Sequence, residues 1–116
     1  MVHFGEDSSL AVTITTGDEV PAAIAERARR RVQSALDRFG SRVRAVRVRI
    51  TDVNGPRGGI DKQCIVAVRL KHPTRLVLIE HMAADFGEAV DRAADRAGRS
   101  VARVVRALSA WTPVRL

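Results

Sequence analysis

With 116 residues, the chain has room for a single domain whose core is large enough to hold without staples. Its hydrophobic share of 46% and charged share of 28% are ordinary for a globular protein, and no stretch approaches the roughly 20 apolar residues of a membrane helix. The N-terminus lacks a basic start followed by an apolar run, the lone Cys64 excludes an internal disulfide, and the net charge of +7 points toward anionic partners. One cytoplasmic domain over residues 1–116, without membrane contact, is therefore expected.

Leu10 to Thr16 alternates apolar and polar residues and is β-branched, which predicts a first strand. Gly17-Asp18 punctuates it. Pro21 suits the first turn of a helix, with Asp18 and Glu19 favouring the positive end of its dipole. Ile24, Ala28, Val32, Ala35, Leu36 and Phe39 then recur at helical spacing, predicting about five turns that end at Gly40. Val46, Val48 and Ile50 alternate with Arg47, Arg49 and Thr51 as a second strand. A Gly/Pro-rich loop, Asp52 to Asp61, leads to a third strand on which Cys64, Val66, Val68 and Leu70 share one face. His72-Pro73-Thr74 reverses the chain into a fourth strand, Arg75 to Met82. Phe86, Val90, Ala93, Ala97, Val101, Val104 and Leu108 keep one face of a closing helix, Asp85 to Ala110. The expected fold is α+β in the order β-α-β-β-β-α. Each helix has one apolar face to bury, so both should cover the same side of a four-stranded sheet.

The charges are segregated. Residues 1–19 hold four acids and no Lys or Arg; residues 27–49 hold nine arginines against Asp37; from Arg96 onward there are five arginines and no acid. Eighteen of the 20 basic residues are Arg. Composition bias explains Arg in place of Lys, but not the missing acids. On the last helix Arg92, Arg96, Arg99, Arg103 and Arg106 step by 4, 3, 4 and 3, one band opposite the apolar face. Glu88 and Asp95 stand at i,i+4 spacing to Arg92 and Arg99 and are expected to pair with them. On the first helix Arg27, Arg31 and Arg38 follow one edge, with Arg30 beside them. Rows of guanidinium forks at helix spacing suit a folded RNA backbone, and these nine arginines are the candidate RNA-binding residues. The alternative is a solvated face, although inert faces mix their signs more thoroughly. Aromatic residues make up 3% of the chain, so base stacking is nearly excluded and recognition should run through backbone and shape.

Other signals are weak. Asn54 to Gly59 joins two strands, not a strand to a helix, and lacks the Lys-Ser/Thr ending of a phosphate-binding P-loop. Asp52, Asn54 and Asp61 resemble a calcium loop without its closing Glu. The loop is read as a structural turn, or else as one that touches RNA through Arg57. His3, His72 and His81 have no metal-ligand spacing. Cys64 reads as a buried thiol, and Trp111 as packing at the end of the last helix. No catalytic constellation, metal or cofactor is expected.

The stretch Asp85–Val101, DFGEAVDRAADRAGRSV, resembles the last helix of the ribosome hibernation promoting factor family, also called sigma-54 modulation or ribosome-associated inhibitor proteins. That pattern has Asp, then Ala-Ile/Val-Asp, then Asp/Glu-Lys/Arg and a further basic residue. The span Val20 to Phe39 has the length and closing Phe of the family's first helix, and the order of elements is the family's. The resemblance implies a β-α-β-β-β-α domain that binds the small ribosomal subunit and its rRNA, where messenger and transfer RNA would sit, and silences idle ribosomes. The family's basic residues fall on Arg96 and Arg99. The Asn54–Gly59 loop is not general in the family. The chain ends at Leu116 without the domain by which long members pair ribosomes, so a monomer or weak dimer that does not pair ribosomes is expected. The other open reading is a basic protein- or RNA-interaction domain of the same fold acting elsewhere.

Overall fold

A computed structural model describes residues 10–54, 59–72 and 74–110. The strands and α-helices follow in the order β1 (Val12–Thr16), α1 (Ala22–Leu36), β2 (Val43–Asp52), β3 (Lys62–Leu70), β4 (Arg75–Ala83) and α2 (Phe86–Ala110). The sheet order is β1-β2-β3-β4. β1 runs parallel to β2, aligning Val12 with Val46 and Thr16 with Ile50. The other two pairings are antiparallel, with Val48 opposite Val66 and Val66 opposite Ile79. The expected fold is present.

Strand parity decides which face is buried. Val46, Val48, Ile50, Cys64, Val66, Val68 and Leu70 all point to the inner side and are buried. Fully burying a Val or Leu side chain stabilises by about 1.5–3 kcal/mol, so this face dominates the fold's energetics. The helices close over it with Ala28, Val32 and Leu36 from α1 and Val90, Ala93, Ala97 and Val101 from α2. Small residues bring the helices together. A Cβ added to Gly98 would stand 3.3 Å from the Ala35 carbonyl oxygen and 3.4 Å from its Cβ, so only glycine fits there without displacement. Both helices therefore lie on one side of the sheet and touch each other, while no described element covers the other side.

Side chains of the helix layer also reach over both edge strands. Arg29 donates to the Val12 carbonyl at 2.8 Å and Gln33 to that of Leu10 at 2.9 Å. At the opposite edge Arg96 donates to the Glu80 carbonyl at 2.8 Å. Exposed strand edges invite pairing with other chains, and these contacts occupy part of each edge.

Two local expectations are corrected. The first α-helix stops at Leu36, not at Gly40. Asp37–Arg42 continues as a 3-10 segment, whose tighter winding turns the chain up into β2, with Val43 N–H bonded to the Gly40 carbonyl. No side-chain hydrogen bond caps α1, and Glu19 is engaged at the end of β2. Its carboxylate accepts the Asp52 N–H at 2.9 Å and so ties the approach to α1 to the end of β2. Pro21 is the N-cap residue, just outside the helix.

Candidate nucleic-acid interface

β1, α1 and β2 alternate in direction, and so do β3, β4 and α2, which leaves α1 and α2 running parallel. The contacts show it: Arg27 meets Asp91 and Arg31 meets Asp95, each pair 64 residues apart. Further along, Ala35 meets Gly98, and Arg38 and Phe39 share a groove with Ala102, Val105 and Arg106. The two helices therefore begin together and end together.

Their N-terminal halves are laced by ion pairs. Arg27 grips Asp91 bidentately, Nε at 3.0 Å and Nη2 at 2.5 Å. Arg31 bridges Asp91 at 3.4 Å and Asp95 at 3.3 Å. The hydrogen bonds from Arg27, aided by the charge of Arg31, hold the Asp91 carboxyl below its ordinary range, while Asp91 raises Arg27 in turn. Arg30 pairs with Glu26 at 3.8 Å, and Arg92 with Glu88 at 3.8 Å as its spacing predicts. Asp95 departs from expectation. It faces Arg31 across the helix interface instead of Arg99 along its own helix, because the parallel offset puts α1's cation nearer. Arg96 lies over the β4 edge, 2.8 Å from the Glu80 carbonyl and 3.3 Å from His81 Nδ1.

The C-terminal halves differ. Arg38, Arg99, Arg103 and Arg106 are exposed, and among the described residues none of them meets a carboxylate. Arg38 lies with its guanidinium carbon 4.6 Å from the Phe39 ring centroid, a cation–π contact that orients the side chain without neutralising it. Arg38 and Arg106 line one shallow groove with the apolar wall of Phe39, Ala102 and Val105. Chemically this end of the layer presents exposed guanidinium forks that meet no acid among the described residues. The candidate arginines thus separate into two sets: Arg27, Arg30, Arg31, Arg92 and Arg96 with partners, and Arg38, Arg99, Arg103 and Arg106 without acids.

A second cationic surface was missed by following the helices alone. Arg44, Arg47, Arg49 and Arg69 stand exposed on the open side of the sheet. The signal was present as the period-two alternation of Arg47 and Arg49 with Val46, Val48 and Ile50.

The glycine loop has a closed base. Val53 N–H bonds the Asp61 carbonyl at 2.8 Å, and Lys62 bridges Asp61 at 2.8 Å and Asp52 at 3.2 Å. Hydrogen bonding to Asp61 is the main cause that raises the Lys62 ammonium, which also lies 5.6 Å from the Phe86 ring centroid. The acids of the supposed calcium loop are thus served by a lysine. Residues 55–58 of that loop, with Arg57, lie outside the described residues, as do His3, Pro73 and Trp111. Cys64 is buried as its parity predicts, and burial pushes its thiol up to about 12.

The family described as Sigma 54 modulation protein / S30EA ribosomal protein matches residues 12–109. Among solved structures, a ribosomal subunit interface protein from Coxiella burnetii superposes with a TM-score of 0.67 at 9% identity, over 82% of this chain and 97% of that one. The N-terminal domain of Thermus thermophilus Protein Y superposes with a TM-score of 0.62 at 25% identity, over 83% of this chain and 98% of that one. No curated protein sequence matches significantly.

Proposed function

Because the chain belongs to the Sigma 54 modulation protein / S30EA ribosomal protein family, we propose that it is a ribosome-associated hibernation factor that binds the small subunit through its rRNA. The reading is non-enzymatic. A folded domain occupying the path of messenger and transfer RNA inhibits by volume alone, with no bond made or broken. The likeness to the N-terminal domain of Protein Y at 25% identity supports it, and the ribosomal subunit interface protein shares the fold.

The observation that carries the RNA part of the proposal is the cluster at the common C-terminal end of the helices. Arg38, Arg99, Arg103 and Arg106 have no carboxylate partner among the described residues, and their forks are free for phosphate oxygens. Arg27, Arg30, Arg31 and Arg92 belong to the same face, but carboxylates already pair with them, and Arg96 is held at the β4 edge by the Glu80 carbonyl. They act as a frame that fixes the free set, with contacts to RNA at their margins. Phosphate recognition of this kind is insensitive to base sequence and sensitive to salt.

The test is co-sedimentation of the purified protein with small subunits, paired with translation in a cell-free system. Binding together with reduced translation supports the proposal. Unchanged translation at saturating protein contradicts the inhibitor reading. Absence from the ribosomal fraction at low salt moves the function to another anionic partner.

A further inference from the structure

The side of the sheet that no helix covers is chemically graded. Cross-strand register sets its rows: Arg47, Ala67 and Leu78 lie abreast, and so do Ala45, Arg69 and Leu76. A third row runs from Arg49 through Ile65 to Glu80. Cations therefore gather over β2 and apolar side chains over β4. Leu76 and Leu78 are 60% and 61% exposed, large values for leucines that share one strand face. Arg44, Arg47, Arg49 and Arg69 make no ion pair or hydrogen bond among the described residues. Two shallow grooves meet at Arg47 and Ala67, one running toward Arg69 and Leu76, the other toward Arg49 and Ile65.

From this gradient we propose that the open sheet face docks an acidic amphipathic helix of a protein partner. Neighbouring strands are about 4.8 Å apart, so the arginine column on β2 and the leucine column on β4 lie roughly 10 Å from each other. That separation is about the diameter of an α-helix. A helix lying along the strands sets one edge of carboxylates against Arg47, Arg49 and Arg69. Its leucine-type edge then removes Leu76 and Leu78 from water. RNA suits the face less well. Among the described residues it presents no aromatic platform, and phosphates laid over β4 would leave the leucines without an apolar partner. A second copy of the chain suits it poorly too, since its four arginines face one acid, Glu80, which already accepts from Gln63.

The surface is independent of the helix-layer arginines, and its test does not involve ribosomes. Isotope-labelled full chain is titrated with a synthetic amphipathic peptide of Glu, Leu and Ala in heptads, with its scrambled counterpart, and with a short RNA duplex. The heptad peptide is expected to shift resonances of Arg47, Arg49, Leu76 and Leu78, while the scrambled peptide binds about tenfold more weakly or not at all. R47E/R49E is expected to weaken the peptide about tenfold or more, with thermal unfolding close to the parent's. Leu78→Thr, which keeps a strand-forming residue, reads the apolar edge separately. The proposal is overturned if the peptide moves only helix-layer resonances or none. It is also overturned if the RNA duplex shifts the open face, or if that face shifts with protein concentration alone, the mark of a second copy.

Discussion

At the N-terminal end of the helix pair, Arg27 and Arg31 meet Asp91 and Asp95 across the interface. At the C-terminal end Arg38, Arg99, Arg103 and Arg106 occupy comparable positions and meet no acid among the described residues. Residue type and helix spacing are the same at both ends, so neither distinguishes a structural arginine from one available to a ligand. What distinguishes them is the neighbouring helix. The acids of α2 stop at Asp95, and the parallel packing delivers Asp91 and Asp95 to the first half of α1. Charge is spent on holding the helices together at one end and left unneutralised at the other.

The largest effect that would break this comparison is on binding. R103E/R106E is expected to lower affinity for the small subunit about hundredfold or more at moderate salt, because two phosphate contacts become repulsions. Its melting temperature should stay near the parent's, since neither side chain has an ion pair to lose among the described residues. R27E/R31E should invert the pattern, with a clear drop in melting temperature from carboxylates set against Asp91 and Asp95. Co-sedimentation and thermal melts on the same preparations read both quantities. Equal binding losses at unchanged stability would erase the distinction between the two ends.

A change between the two ends comes next. Gly98→Leu drives a side chain into Ala35 where a bare Cβ is already tight, and is expected to cost about 1–3 kcal/mol in denaturant unfolding. Gly98→Ala should cost less. If Gly98→Leu is neutral, the helices are not in the close contact on which the parallel offset rests.

Asp91→Asn sharpens the ion-paired end. Because Arg27 holds the Asp91 carboxyl below its ordinary value, this group stabilises the fold above the unfolded carboxylate pKa of about 3.9. That contribution is lost as pH falls through the lower folded value. The variant should therefore melt below the parent at neutral pH, and the gap should close in acid. A gap that widens in acid would reverse the assigned cause. The smallest effect is expected at Cys64, which serves as a control. Its buried thiol, pushed up to about 12, should resist alkylation at mildly alkaline pH in the parent and in R103E/R106E alike. Rapid alkylation of a variant would show that its core has opened.

Much of the fold was legible in the sequence because burial imposes a period. The alternation over Val46–Ile50 and Cys64–Leu70, and the helical spacing from Phe86 to Val101, identified both the elements and the faces they bury. Helix ends were less legible. Whether the chain beyond Leu36 continues as α or tightens to 3-10 depends on where β2 must begin, which is a tertiary matter. The candidate site was legible as a set of arginines but not as a division within it. Helix periodicity places Asp95 beside Arg99, and only the offset between α1 and α2 gives it to Arg31. The open-face arginines escaped for a related reason. Arg47 and Arg49 read as the polar half of an amphipathic strand, and Arg69 joins them only through the β2–β3 register.

The central claim, that the unneutralised end of the helix pair grips RNA phosphate, is tested most directly by the salt dependence of small-subunit binding. Each phosphate contact contributes a slope of about −0.9 to the plot of log affinity against log salt, so four arginines predict a slope of roughly −3 to −4. Replacing Arg99, Arg103 and Arg106 together by Gln should remove about three such increments, whereas replacing Arg27 and Arg31 by Gln should leave the slope close to the parent's. A slope unchanged by the first set and flattened by the second would contradict the account.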